Sequence, residues 1–257
     1  MLLNKLSEED FVVLRGSLES GRQRPSALSP MLILAIFFQA LMFFLAYVVG
    51  ADKSIFPNQK IMFQIHLVIT VILILLSIMY AIPSVFKRMQ KTQYLLTILV
   101  SQNLFGAFFY IMALSFIGKI RGLTVESLLN FTYVTLLFGV LIVMLTCIRF
   151  YILLKKGEYR ENSKRDKVRG RFETKSYLPM AIIGGMGLVY IIQYLARNIY
   201  VIDVNLVTII LIGPLLFYIM LFVLPEQLII LYCKCRFESF NYEQNGNLKP
   251  LGTRKGA

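Results

Sequence analysis

The chain has 257 residues, 57% of them hydrophobic and only 16% charged, with a formal net charge of +13 and a mean hydropathy of +0.68. Soluble domains run near about 45–50% apolar, and here the apolar residues form continuous runs with no polar face, which excludes a water-soluble globule. The fold class expected is all-α: a polytopic membrane protein, a bundle of six transmembrane helices.

The first thirty residues read as an N-terminal arm. Ser7-Glu8-Glu9-Asp10 has the form of a helix start, with the Ser7 hydroxyl and the Asp10 carboxylate placed to satisfy free backbone N–H groups. Phe11, Leu14 and Leu18 then share a face. Such a helix either lies on the membrane surface or folds against the ends of the bundle. With acidic residues ahead of the first apolar run, that run acts as an uncleaved anchor.

Spanning a hydrocarbon core of about 30 Å takes about 20 helical residues. Six runs meet this length: 31–50, 61–86, 93–118, 127–154, 177–196 and 202–232. A barrel is excluded, because its strands would alternate polar and apolar residues. The transmembrane domain is thus 31–232, interrupted by a basic link at 155–176 and followed by a basic tail at 233–257.

Of the 27 Lys and Arg residues, 22 fall in the arm, the second link, the long link with its flanks, and the tail, leaving five for the other links. This asymmetry places both termini in the cytoplasm. It also accounts for the positive charge without nucleic acid, for which no reader motif is present. The partners expected are the lipid bilayer, anionic lipid headgroups at the cytoplasmic face and a membrane-protein partner. In the absence of other targeting signals the location expected is the plasma membrane.

No Asp, Glu, Lys or Arg falls at mid-span, although buried charge is the usual mark of a coupled transporter. Glu226 comes nearest, yet a helix from Ile202 rises by about 36 Å before reaching it, to the headgroup layer. What does sit at mid-depth is neutral. Gln39 lies in the first run, Thr70 in the second, and Gln102 and Asn103 in the third, at heights that allow one polar layer. Interhelical hydrogen bonding that fixes packing is the reading preferred; a solute path is the alternative. His66, the sole histidine, reads as a packing or interfacial residue with a pH-sensing alternative.

In the fifth run Ala181, Gly184 and Gly185 expose backbone for a close helix contact. In the sixth, Gly213, Pro214 and Pro225 are candidate kink positions, since proline removes a helix hydrogen bond; Pro83 is a similar break in the second. Tyrosines near run ends, Tyr47 and Tyr94 among them, read as the aromatic belt. Cys147, Cys233 and Cys235 lie at cytoplasmic ends where thiols stay reduced.

Metal-helix, nucleophile-elbow and phosphate-loop motifs are missing from the sequence. No catalytic, cofactor-binding or metal-ligating residues are assigned, and no cofactor or enzymatic activity is expected. The function expected is binding of another membrane component, as an accessory subunit of a transport or secretion system or as an immunity factor against a membrane-inserting toxin. A small-solute or ion transporter or channel is the alternative.

Overall fold

The computed structural model describes residues 6–167 and 204–252. Among them are five helices long and apolar enough to cross a membrane. They are α1 (Pro25–Gly50), α2 (Gln59–Ala81), α3 (Gln90–Ile117), α4 (Val125–Lys155) and α5 (Val204–Arg236). The described residues are all-helical, and their apolar helices are those of a multi-pass membrane protein. The run at 177–196, with its face of Ala181, Gly184 and Gly185, lies outside the described residues.

Local chemistry moves several helix ends away from the hydropathy boundaries. α1 starts at Pro25 rather than at residue 31, because Arg24 is extended and Pro25 occupies the first turn, where its missing N–H costs nothing. α2 stops at Ala81 rather than at residue 86. Ile82, preceding Pro83, is forced into extended backbone (φ −73°, ψ 128°), and Pro83 opens a separate short helix, Pro83–Arg88. Pro214 and Pro225, by contrast, both lie inside α5, which continues through them.

Two stretches widen into π-helix: Leu45–Gly50 at the end of α1 and Gln102–Ala107 in the middle of α3. Such segments carry an extra residue in the turn and are frequent at functional sites.

Glycines set how closely α5 packs. A Cβ on Gly213 would lie 2.5 Å from both the Phe109 carbonyl oxygen and the Ala113 Cβ, so α3 and α5 touch backbone to backbone there. Further along, Gly106 faces Met220 and Gln102 donates to the Met220 carbonyl at 3.0 Å, so the two helices run antiparallel. α4 and α5 run parallel, with Gly139 against Phe217 and Leu221 and Tyr218 donating to the Thr135 carbonyl at 3.1 Å. Lys155 and Val204 therefore stand at opposite ends of the bundle.

The largest buried cluster sits at one end, outside the span centres. It joins Phe11, Leu14 and Leu18 of the arm to Tyr94, Ile98, Phe150, Leu154, Tyr159, Ile230 and Cys233, and to Phe240 and Tyr242 beyond α5. The apolar face of the arm is thus turned onto the bundle and away from lipid. Polar contacts tie the cap together. Arg160 donates to Asp10 at 2.7 Å, Val13 N–H to the Tyr159 carbonyl at 3.0 Å, and the Tyr242 hydroxyl to the Leu18 carbonyl at 2.7 Å. Ser239 donates to Glu8. Both ends of the described chain therefore meet at this basic end of the bundle.

Outside the cap the helices show apolar surface, as lipid requires: Phe37 of α1 is 70% exposed and Leu145 of α4 is 65% exposed.

Candidate functional site

Polar side chains buried at mid-depth must find partners within the bundle, since lipid offers none. Asn103 is the hub. Its Nδ2 donates to Gln39 Oε1 at 3.2 Å and, over 3.5 Å, to Thr70 Oγ1. Its Oδ1 lies 2.8 Å from His66 Nε2. His66 Nδ1 in turn lies 2.9 Å from the Tyr47 hydroxyl, which also reaches the Met62 carbonyl at 3.3 Å. One network thus links α1, α2 and α3.

Hydrogen-bond direction follows from this inventory. With Asn103 Nδ2 used as donor, its Oδ1 is the acceptor, so the hydrogen in that contact belongs to His66 Nε2. In the neutral ring Nδ1 then accepts from Tyr47. Were the ring to take up a proton, Nδ1–H would donate to the Tyr47 oxygen, and the Tyr47 hydrogen would turn to the Met62 carbonyl. Every contact of the ring is satisfied in either state.

The backbone explains how these groups meet. Tyr47 lies in the first π segment and Asn103 in the second, and His66 comes from regular helix between them. Phe108 closes the ring's face, with centroids 4.4 Å apart, and Phe43 approaches at 6.0 Å. Gln39 is fully buried, while its Nε2 has no acceptor among the described residues.

Of the residues expected to share one layer, the structure brings together Gln39, Thr70 and Asn103. Gln102, the next residue along the helix, turns toward α5, where it donates to the Met220 carbonyl and, at 3.5 Å, to Gln227. Pro225 has no N–H for the Leu221 carbonyl one residue further along α5, so Gln102 adds a donor where the helix's own ladder is thinned.

Three features were not singled out from sequence. Tyr47, expected in the interfacial belt, is buried against His66. Gln93, expected at a span end, is fully buried and donates to the carbonyls of Pro25 (3.0 Å) and Tyr80 (3.2 Å), joining three helices at the basic end. Tyr110 pairs with Thr135 at 2.5 Å and stacks on Phe217, linking α3 to α4 and α5. Cys233 is buried in the cap, and Cys147 and Cys235 are exposed.

No known protein family matches the chain, and neither does any curated protein or solved structure.

Proposed function

We propose that the chain is a non-enzymatic integral protein of the plasma membrane that acts by binding another membrane component, as an accessory subunit of a transport or secretion system or as an immunity factor against a membrane-inserting toxin. The observation that carries this reading is the inward closure of the polar layer. Tyr47, His66, Thr70, Asn103 and the Gln39 carbonyl oxygen bond to one another, leaving the outer faces for recognition. α4 carries an exposed stripe of Tyr133, Leu137, Leu141, Leu145 and Ile148 at helical spacing, a surface suited to lipid or to a partner helix.

Six spans and cytoplasmic termini belong to the same proposal. The opposite placement of Lys155 and Val204 supports an odd number of crossings between α4 and α5, and 177–196 is the apolar run there. The concentration of Lys and Arg at the end that carries the arm and tail supports its cytoplasmic location.

The test is native purification in mild detergent with an epitope on the tail, followed by mass spectrometry against an untagged control. A stoichiometric membrane partner whose recovery falls when Leu137 and Leu141 are replaced by Trp is the result expected. Recovery of the chain alone would overturn it.

Transport is the second reading, favoured by the two π segments and by the Gln39 Nε2, which has no acceptor among the described residues. It requires that single cysteines at 39, 70 and 103, in a background without other cysteines, react with hydrophilic thiol reagents. Protection at all three would exclude it.

A further inference from the structure

A cavity of about 240 Å³ opens on the surface between α4 and α5 toward the basic end. Among the described residues it is lined by Thr146, Arg149 and Phe150 of α4, Tyr159 and Arg165 of the following link, and Phe222, Pro225 and Glu226 of α5. Arg149 is exposed and Glu226 half-buried. Neither makes an ion pair or hydrogen bond to another described residue, and they are not paired with each other. Arg165 donates to the Tyr159 hydroxyl and lies 4.9 Å over that ring.

A half-buried carboxylate with no cation bonded to it at the edge of an apolar layer, as at Glu226, is costly. Two guanidiniums suit a phosphate, whose oxygens their planar N–H forks match. Glu226 adds an acceptor for a cation that can donate N–H. Phe150 and Tyr159 stack on each other, 25° from parallel with centroids 4.7 Å apart, and Arg165 covers Tyr159. Their faces are thus in use and do not form a cage for a quaternary ammonium. The volume equals that of about eight waters at roughly 30 Å³ each, the scale of a small headgroup. Arg149 lies six residues before Lys155, about 9 Å up the helix from its basic end, at the depth of headgroups.

We propose that this cavity binds the headgroup of a zwitterionic aminophospholipid, its phosphodiester held by Arg149 and Arg165 and its primary ammonium by Glu226. This goes beyond the diffuse attraction of a basic surface for anionic lipid. It rests on the bundle lying in a bilayer, not on the identity of any protein partner.

The experiment is native mass spectrometry of the full chain with equimolar phosphatidylethanolamine, phosphatidylcholine and phosphatidylglycerol. The wild type should retain phosphatidylethanolamine over either other lipid by about tenfold, the loss expected when one charge-assisted hydrogen bond goes unmade. Arg149→Gln should lower retention of phosphatidylethanolamine and phosphatidylglycerol together. Glu226→Gln should erase only the preference for phosphatidylethanolamine. It is isosteric, so it decides the matter if Arg149→Gln fails to fold. Equal retention of the three lipids, or an unaltered preference in Glu226→Gln, overturns the proposal. Displacement of bound lipid by millimolar soluble glycerophosphoethanolamine would instead assign the cavity to a water-borne phosphate and overturn the lipid assignment. Extraction of the chain from membranes by alkaline carbonate would overturn the membrane reading itself; an embedded chain without the preference overturns this inference alone.

Discussion

Asn103 spends both ends of its amide on the network, so its loss strands more groups than it removes. In Asn103→Leu the His66 Nε2–H loses its acceptor and the Gln39 Oε1 its donor. Side-chain hydrogen bonds within membranes average only about 0.6 kcal/mol, but leaving one partner buried and unsatisfied costs about 1–3 kcal/mol. The upper range applies to Asn103, because two other residues are orphaned at once. Tyr47→Phe orphans only the His66 Nδ1 acceptor and should cost about 1 kcal/mol, the lower end of that range. Gln102→Leu, outside the network and half-buried, should cost least, and under the proposed function it leaves ion conductance unaltered. Thermal unfolding in detergent checks the order Asn103, Tyr47, Gln102; equal losses at Gln102 and Asn103 would refute the separation of the two faces. The polar members Gln39, Thr70 and Asn103 were legible because uncharged polar residues stand out in apolar runs. Tyr47 was not, because a tyrosine near a run end fits the interfacial belt equally well, and a π segment leaves no periodicity in sequence that distinguishes it from α-helix.

Among the helices, α5 tests whether small residues or prolines dominate its packing. Gly213→Ala would place a methyl group 2.5 Å from the Phe109 carbonyl, which is backbone and cannot give way. Separating α3 from α5 should cost about 1–3 kcal/mol, as overpacking does elsewhere. Gly139→Ala meets the end of the Leu221 side chain at 2.9 Å, which can rotate aside, so its loss should be smaller; a reversed order in detergent melts would contradict this account. Hydropathy read the helices well where runs were long and turns short, yet it treated every proline alike. Pro83 separates two helices because its neighbour Ile82 can extend into the link. Pro214 sits where both sides of the break remain apolar, and extended backbone there would face lipid unbonded; beside Pro225, which is followed by Glu226 and Gln227, Gln102 donates to the Met220 carbonyl across the packed α3–α5 contact. The cap has an acid-sensitive joint. At Asp10, burial pushes the carboxyl up, but the hydrogen bonds from Arg160 and the Ser7 N–H, with the guanidinium charge, outweigh it and leave the group below its ordinary value. At Glu238 the Lys249 hydrogen bond leads in the same direction. A folded value below the unfolded one contributes stability above the unfolded pKa of about 4 that is lost as pH falls through the folded value. Hydrogen exchange in residues 8–19 should therefore rise below about pH 4, and Asp10→Asn should show the rise already at neutral pH.

At the scale of the molecule, the two termini are joined by contacts that no local pattern announces: Ser239 to Glu8, Arg15 to the Lys249 carbonyl at 3.1 Å, and Tyr242 to Leu18. The sequence displayed only a basic tail, because residues more than two hundred positions apart carry no mutual periodicity. Burial holds the Tyr242 phenol up at about 12, so it remains a donor to Leu18 throughout the physiological range. This clasp puts the arm and tail on the same side of the bilayer whatever that side is, and the charge asymmetry then selects which one. The two arguments are independent, and one labelling experiment checks both. In a background without native cysteines, Asp52→Cys and Arg121→Cys, in the exposed links at the opposite end, should react with a membrane-impermeant maleimide in intact cells. Glu161→Cys and Asn245→Cys, both exposed at the capped end, should react only after the membrane is opened. Labelling of Asn245→Cys and Glu161→Cys together in intact cells would reverse the orientation while preserving the fold. Labelling of one without the other would break the cap, since Asp10 to Arg160 and Glu8 to Ser239 hold the link and the tail to the same arm.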